Sequence, residues 1–170
     1  TLSFTGDYRK NKAFTMNVDT AKFDGYVGTA SQMTITVTTP SDHAGTYSTG
    51  VILSPYNGPH NVVESKNYDF SEIDNATFTI RKLDLYISMT VEYNGSTEFA
   101  FDNYRLTPAN TDDGNGNRVY NGDVVYLDSF EVDSADITSE IFVYDYVLSG
   151  EDAENYNIDE FAVEITKKKL

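Results

Sequence analysis

The sequence predicts an all-β chain of two tandem domains, and three observations carry that expectation. Apolar and polar residues alternate with period two, while no stretch shows the three-to-four spacing of an amphipathic helix. Aromatic residues make up 14% of the chain, as 13 Tyr and 10 Phe without any Trp, a choice suited to pleated, half-buried strands. One pattern also recurs 85 positions on, half of the 170 residues: Tyr8 with Tyr93, Phe14 with Phe99, Ile80 with Ile165 and Leu85 with Leu170. A period this long is that of a whole small domain, not of a solenoid turn that needs neighbours to bury its core. The expected domains are residues 1–83 and 84–170. Short, regularly spaced strands with Gly, Asn and Asp turns argue for an immunoglobulin-like β-sandwich in each, with a β-grasp or other small β-rich fold as the alternative.

Taken in order, Leu2, Phe4 and Tyr8 open the first copy, and Leu85, Ile87, Met89, Val91 and Tyr93 open the second. Phe14, Met16 and Val18 then answer to Phe99, Phe101 and Tyr104, as strands with one buried face. In the first copy Met33, Ile35 and Val37 alternate with Thr, and a strand is expected over Thr46–Ser54. The second copy offers Val124, Tyr126 and Leu127, then SFEVDSADIT as a connection, and a strand over Ile141–Ser149. Leu53-Ser54 and Leu148-Ser149 correspond at an offset of 95, because the second copy carries extra residues in a turn-rich stretch where insertions are tolerated. Each copy closes on an Asn-Tyr pair and a last strand, Ala76, Phe78, Ile80 or Phe161, Val163, Ile165. No Gly, Pro or Ser linker separates Ile80 from Leu85, which predicts a stiff end-to-end pair hinged near Arg81 to Asp84.

Charge and composition narrow the function classes. A net charge of −15 disfavours nucleic acid and anionic membranes as partners and favours cations. The absence of Cys removes disulfides, thiolate metal sites and cysteine nucleophiles together. No apolar run reaches the length of a membrane span. The chain is expected to be a monomeric segment of a longer array, with neighbouring repeats of the same polypeptide as its first partners and targeting signals elsewhere.

An acidic residue stands four positions before a Tyr in both copies, Glu64 and Tyr68, Asp152 and Tyr156, just after a turn and just before a strand. That is the setting of a tyrosine corner, in which the ring packs in the core and the hydroxyl bonds to upstream backbone. Further motifs are Tyr93-Asn94-Gly95, Asn121-Gly122-Asp123-Val124-Val125, Leu148-Ser149-Gly150-Glu151-Asp152-Ala153-Glu154-Asn155-Tyr156 and Ile165-Thr166-Lys167. In that order and spacing, over nearly all of residues 85–170, the second copy resembles the YDG or MBG repeat domains of bacterial surface proteins. The first copy matches through Asn67-Tyr68 and Ile80-Arg81-Lys82, with Tyr8-Arg9-Lys10 in place of the Tyr-Asn-Gly element. The resemblance implies an extracellular, cell-surface or wall-attached module of a stalk or adhesive segment, and it implies no catalytic residues.

Candidate chemistry is sparse. His43 and His60 lie in loops of the first copy and have no counterparts in the second, so no enzyme activity is expected. In TDDGNGNR, Asp112, Asp113, Asn115 and Asn117 supply the alternating oxygens of a calcium loop, although Arg118 stands where such loops want Gly and no closing Glu follows. A polar, Gly-rich turn explains the same letters. Lys10, Lys12 and Lys22 are candidates for a covalent link to Asn or Asp, against solvated charge, and Lys167 to Lys169 read as a charged boundary. Tyr26, Tyr47, Tyr56, Tyr120 and Tyr126 fall in or near loops, where exposed rings could stack on host glycans or mucin. The leading expectation is a non-catalytic spacer and adhesion repeat. The alternatives are a carbohydrate-binding module and an accessory domain of a secreted enzyme.

Overall fold

The computed structural model describes residues 2–11, 13–19, 32–55, 75–138 and 140–170. It is all-β: the described residues form ten strands and no α-helix, in two compact units, Thr1–Arg81 and Lys82–Leu170. Strands β1 (Leu2–Asp7), β2 (Ala13–Asp19), β3 (Gln32–Thr38), β4 (Gly45–Pro55) and β5 (Asn75–Arg81) make up the first unit. Strands β6 (Leu83–Glu92), β7 (Glu98–Arg105), β8 (Tyr126–Val132), β9 (Val143–Ser149) and β10 (Tyr156–Thr166) make up the second. Lys82 is the single residue between β5 and β6. Among the described residues no helix is long and apolar enough to cross a membrane.

In the first unit the five strands form one sheet in the order β1-β5-β4-β3-β2, with β1 and β5 parallel and the other pairs antiparallel. The second unit keeps the neighbours but opens one seam: β10 pairs with β6 in parallel, and β7-β8-β9 form a separate antiparallel sheet. Register is shared as well. Phe4 faces Phe78 and Gly6 faces Ile80 in the first unit; 85 residues on, Met89 faces Val163 and Val91 faces Ile165. The backbone N–H of Tyr8 donates to the Arg81 carbonyl at 2.9 Å, and that of Tyr93 to the Thr166 carbonyl at the same distance.

Alternation explains each core. Leu85, Ile87 and Val91 are the buried positions of β6, while Ser88, Thr90 and Glu92 are exposed. A bulge between Ile158 and Glu160 re-phases β10, so that buried Tyr156 and Ile158 and then Phe161, Val163 and buried Ile165 all turn inward. Phe161 meets Phe130 of β8 at 4.9 Å between ring centroids, which packs the two sheets of this unit against each other. The first unit's core is centred on Phe14 and Phe78, 4.4 Å apart, with Val37, Ile80 and Tyr8 buried around them.

Two expectations are corrected. The segment Ser129–Val132, expected to be connection, is the second half of β8, with Phe130 and Val132 fully buried. A bulge between Leu127 and Ser129 shifts the phase, so buried Leu127 and buried Phe130 stand three positions apart and strict alternation is lost in the letters. Tyr156, expected before the last strand, is its first residue.

Candidate functional site

Two motifs of the second unit, Asn121 to Val125 and Leu148 to Tyr156, meet in space. A 3-10 turn, Ala153–Asn155, carries the chain into β10 and drives Tyr156 into the core, where it is 2% exposed. Its hydroxyl donates to Asp123 Oδ2 at 2.5 Å and accepts the backbone N–H of Tyr120 at 2.9 Å. Asp123, itself 2% exposed, closes its turn by donating its N–H to the Tyr120 carbonyl, and its own carbonyl accepts Arg105 Nη2 at 2.7 Å. One step on, Asp152 Oδ2 accepts the Val124 N–H at 2.8 Å and the Val124 carbonyl accepts the Asp152 N–H at 3.1 Å. Gly150, at φ +108°, passes so close that a Cβ there would run into the Val124 carbonyl oxygen.

Asn121 to Val125 and Gly150 to Tyr156 therefore form one structural lock, with the Tyr156 hydroxyl engaged on both sides. The acidic residue and the tyrosine expected as a corner are both engaged. The hydroxyl's backbone partner, however, is Tyr120, 36 residues upstream, instead of the few residues of an immunoglobulin corner. Glu64 and Tyr68 lie outside the described residues, as do Asn67, Tyr26, Tyr56, His60, Lys12 and Lys22.

The long connection between β7 and β8 is held from within. Leu106, Val119 and Val125 are buried, the Leu106 N–H reaches the Val125 carbonyl, and Thr111 Oγ1 bridges the Thr107 carbonyl to the Val119 N–H. At its tip, Asp113 Oδ1 accepts the N–H groups of Asn115 (2.6 Å) and Asn117 (2.9 Å), and Oδ2 accepts Asn117 Nδ2 at 2.7 Å. Asp112 accepts Gly114 N–H and Arg118 Nη1. Desolvation pushes the Asp113 carboxyl up, but the hydrogen bonds from Asn115 and Asn117 outweigh it and hold its pKa below the ordinary value. The four calcium-loop residues thus share one loop, and Asp113, Asn115 and Asn117 border a cleft of about 210 Å³ with Asp84, Asp159 and Glu160. Among the described residues no group of three or more His, Asp or Glu side chains has an arrangement that could hold a metal ion.

The remaining candidates are scattered. His43 Nε2 lies 4.0 Å from Asp42 Oδ1, and the His43 carbonyl accepts the Tyr47 hydroxyl. Tyr47, Tyr120 and Tyr126 are half-buried, not open platforms; Tyr126 sits beneath the Arg105 guanidinium at 5.5 Å. Lys10 lies in the turn after β1, and Lys167 to Lys169 are exposed beyond β10. A polar cleft of about 550 Å³, which the sequence did not suggest, opens between the end of β9 and the start of β10, lined by Tyr146, Ser149, Glu151, Glu154, Asn157 and Lys82. All of its lining but Lys82 comes from Tyr146 to Asn157, the stretch around the Leu148–Tyr156 motif, but the letters do not show that this stretch folds round a hollow.

Compared with known proteins, the chain matches no family model, no curated protein and no solved structure.

Proposed function

We propose that this chain is a pair of tandem β-rich modules, the second with two facing sheets as in an immunoglobulin-like sandwich, serving as a non-catalytic stalk or spacer within an adhesive, extracellular protein of a bacterial cell surface. The observation that carries this reading is the parallel pairing of the first and last strand in both units, over six registered pairs in β1–β5 and ten in β6–β10. Tension along the chain pulls the start of one strand and the end of its parallel neighbour in opposite directions. The ladder is then loaded in shear, and its bonds, each contributing on the order of 1 kcal/mol, must give together instead of unzipping singly. A domain that transmits load gains from such terminal strands. The negative surface keeps neighbouring modules soluble and apart, and the engaged Tyr156 supports a structural role for the repeat motif.

Single-molecule pulling from the two termini tests it, because forced unfolding is governed by the unfolding barrier. Two events are expected, both well above the force that unzips an antiparallel hairpin. Adjacent prolines at Ala162 and Val163 should weaken one event and spare the other, since one of the two must remove a ladder donor. Two low-force events in the unaltered chain would refute the reading.

A second reading, a carbohydrate- or mucin-binding module, is favoured by the polar cleft at Tyr146, whose hydroxyl, carboxylate and amide groups suit a sugar. An array of host glycans, probed with the chain and with Glu151→Ala/Asn157→Ala, separates the two: a signal lost in the variant supports the binder, and silence leaves the spacer. An accessory domain of a secreted enzyme has no separate observation in its favour.

A further inference from the structure

Strand β9 pairs with β8 along one side, and among the described residues no strand pairs with its other side. Its counterpart β4 shows what covers such an edge: Gly45 to Gly50 pair antiparallel with Ile80 to Asn75 of β5. At offsets of 95 and 85 the equivalent stretches are 140–145 and 160–165, and β10 does not take up that pairing. Near Tyr146 the seam is closed by side chains, since the Tyr146 hydroxyl accepts the Ile158 N–H at 3.0 Å and Asp145 Oδ1 accepts the Tyr146 N–H at 2.9 Å. The open stretch is 140–145.

In that stretch Phe142, just before β9, and Tyr144, at the bulge opposite Glu131 and Val132, are 64% and 62% exposed, with Ile137 exposed just before it. The main-chain groups of Phe142 bond to Asp133, which leaves the open edge to its neighbours. Edge strands are ordinarily blunted by Lys or Pro. Here residues 119–166 contain neither, nor any Arg, against thirteen Asp and Glu. Glu140 and Asp145 lie on the edge itself, and Glu131 and Asp133 lie on the paired side behind it. Such a border repels a second copy of the same edge and attracts positive charge.

We propose that the open edge at 140–145, the start of β9 and the residues leading into it, binds an extended cationic peptide segment, apolar at alternate positions, which adds antiparallel as β5 adds to β4. Main-chain hydrogen bonds would supply affinity, the Phe142 and Tyr144 rings would seat the apolar positions, and the carboxylates would select the charge. The inference is independent of the stalk reading, and the pulling result does not bear on it.

Fluorescence anisotropy of a labelled octapeptide of alternating Lys and Val, titrated with the full chain, tests the proposal. Saturable binding that falls with added salt is expected, weakened at least tenfold by Phe142→Ser/Tyr144→Ser. An alternating Lys-Pro octapeptide of equal charge, which lacks half the donors and cannot extend into a ladder, should not bind. In the unaltered chain, hydrogen exchange should slow within 140–145 when the Lys-Val peptide is present, a readout that does not depend on the variant folding. No binding, equal binding of the Lys-Pro peptide, protection elsewhere, or a dimer that the double substitution dissolves would each overturn it.

Discussion

Gly6 in the first unit and Val91 in the second hold the same register position, facing Ile80 and Ile165. Their neighbours show what the exchange requires. A Cβ on Gly6 would stand 2.9 Å from the Phe14 ring and 3.0 Å from that of Phe78, so the glycine makes room for two packed aromatics. The second unit has Val163 where the first has Phe78, and it can carry a buried Val91. Volume moves from strand to strand while the register stays, as close-packed cores demand. At the other seam the units part: β4 and β5 are hydrogen-bonded, whereas β9 and β10 belong to different sheets joined by the Tyr146 hydroxyl and the Phe130–Phe161 contact. One strand order therefore supports either a continuous sheet or two facing ones.

The largest expected effect falls on the lock of the second unit. Tyr156→Phe strips the hydroxyl from the buried Asp123 carboxylate and the Tyr120 N–H, and should cost roughly 3 kcal/mol, because buried groups robbed of a partner pay their full desolvation. Chemical denaturation should show the Lys82–Leu170 transition move and the other stay; a common shift would mean the units do not unfold separately.

Next, Gly6→Val places the second unit's residue in the first unit's core and should destabilise it by about 2 kcal/mol through overpacking. Adding Phe78→Val should recover part of that loss, and a double-mutant cycle with no coupling would break the volume argument.

Smaller effects concern the exposed loops. Asp113 has a depressed pKa in the fold, so its contribution is present above the ordinary carboxylate value, about 4, and is lost as the pH falls through the lower folded value. Asp113→Ala should flatten that acid limb in a circular-dichroism titration. If calcium stiffened the loop, the ion would instead raise the thermal midpoint and a chelator reverse it, whereas closure by hydrogen bonds alone leaves the midpoint unchanged.

The smallest is spectroscopic. A hydrogen bond to Glu131, then desolvation and the charges of Glu131 and Asp145, push the Tyr144 hydroxyl up to about 12. The neutral phenol is the form the fold favours, so its contribution holds below the ordinary value, about 10, and fades as the pH rises through about 12. Glu131→Gln should bring one tyrosine back toward 10 in an absorbance titration.

Most strands were legible because alternation is a local consequence of the pleat: Leu85, Ile87 and Val91 must share a face wherever the strand lies. The recurrence at 85 residues was legible for the same reason, since matching strands need matching letters. Legibility failed at Ser129–Val132, which follows the bulge at Asp128, and at the polar cleft beside Tyr146, where Lys82 joins the stretch from Tyr146 to Asn157 only in the folded chain. The calcium-like letters of Asp112 to Asn117 could not reveal that their oxygens bind the loop's own N–H groups.

From its letters alone this protein had its all-β class, most strand positions and the spacing of its motifs, because those depend on residues near one another in the chain. Only the tertiary structure decided that Asp123 and Asp152 secure opposite sides of one lock, that β9 and β10 separate, and that Phe142 and Tyr144 stand in the open. Each of these depends on which distant backbone groups and side chains compete for the same partners, and that competition is resolved only once the sheets have packed.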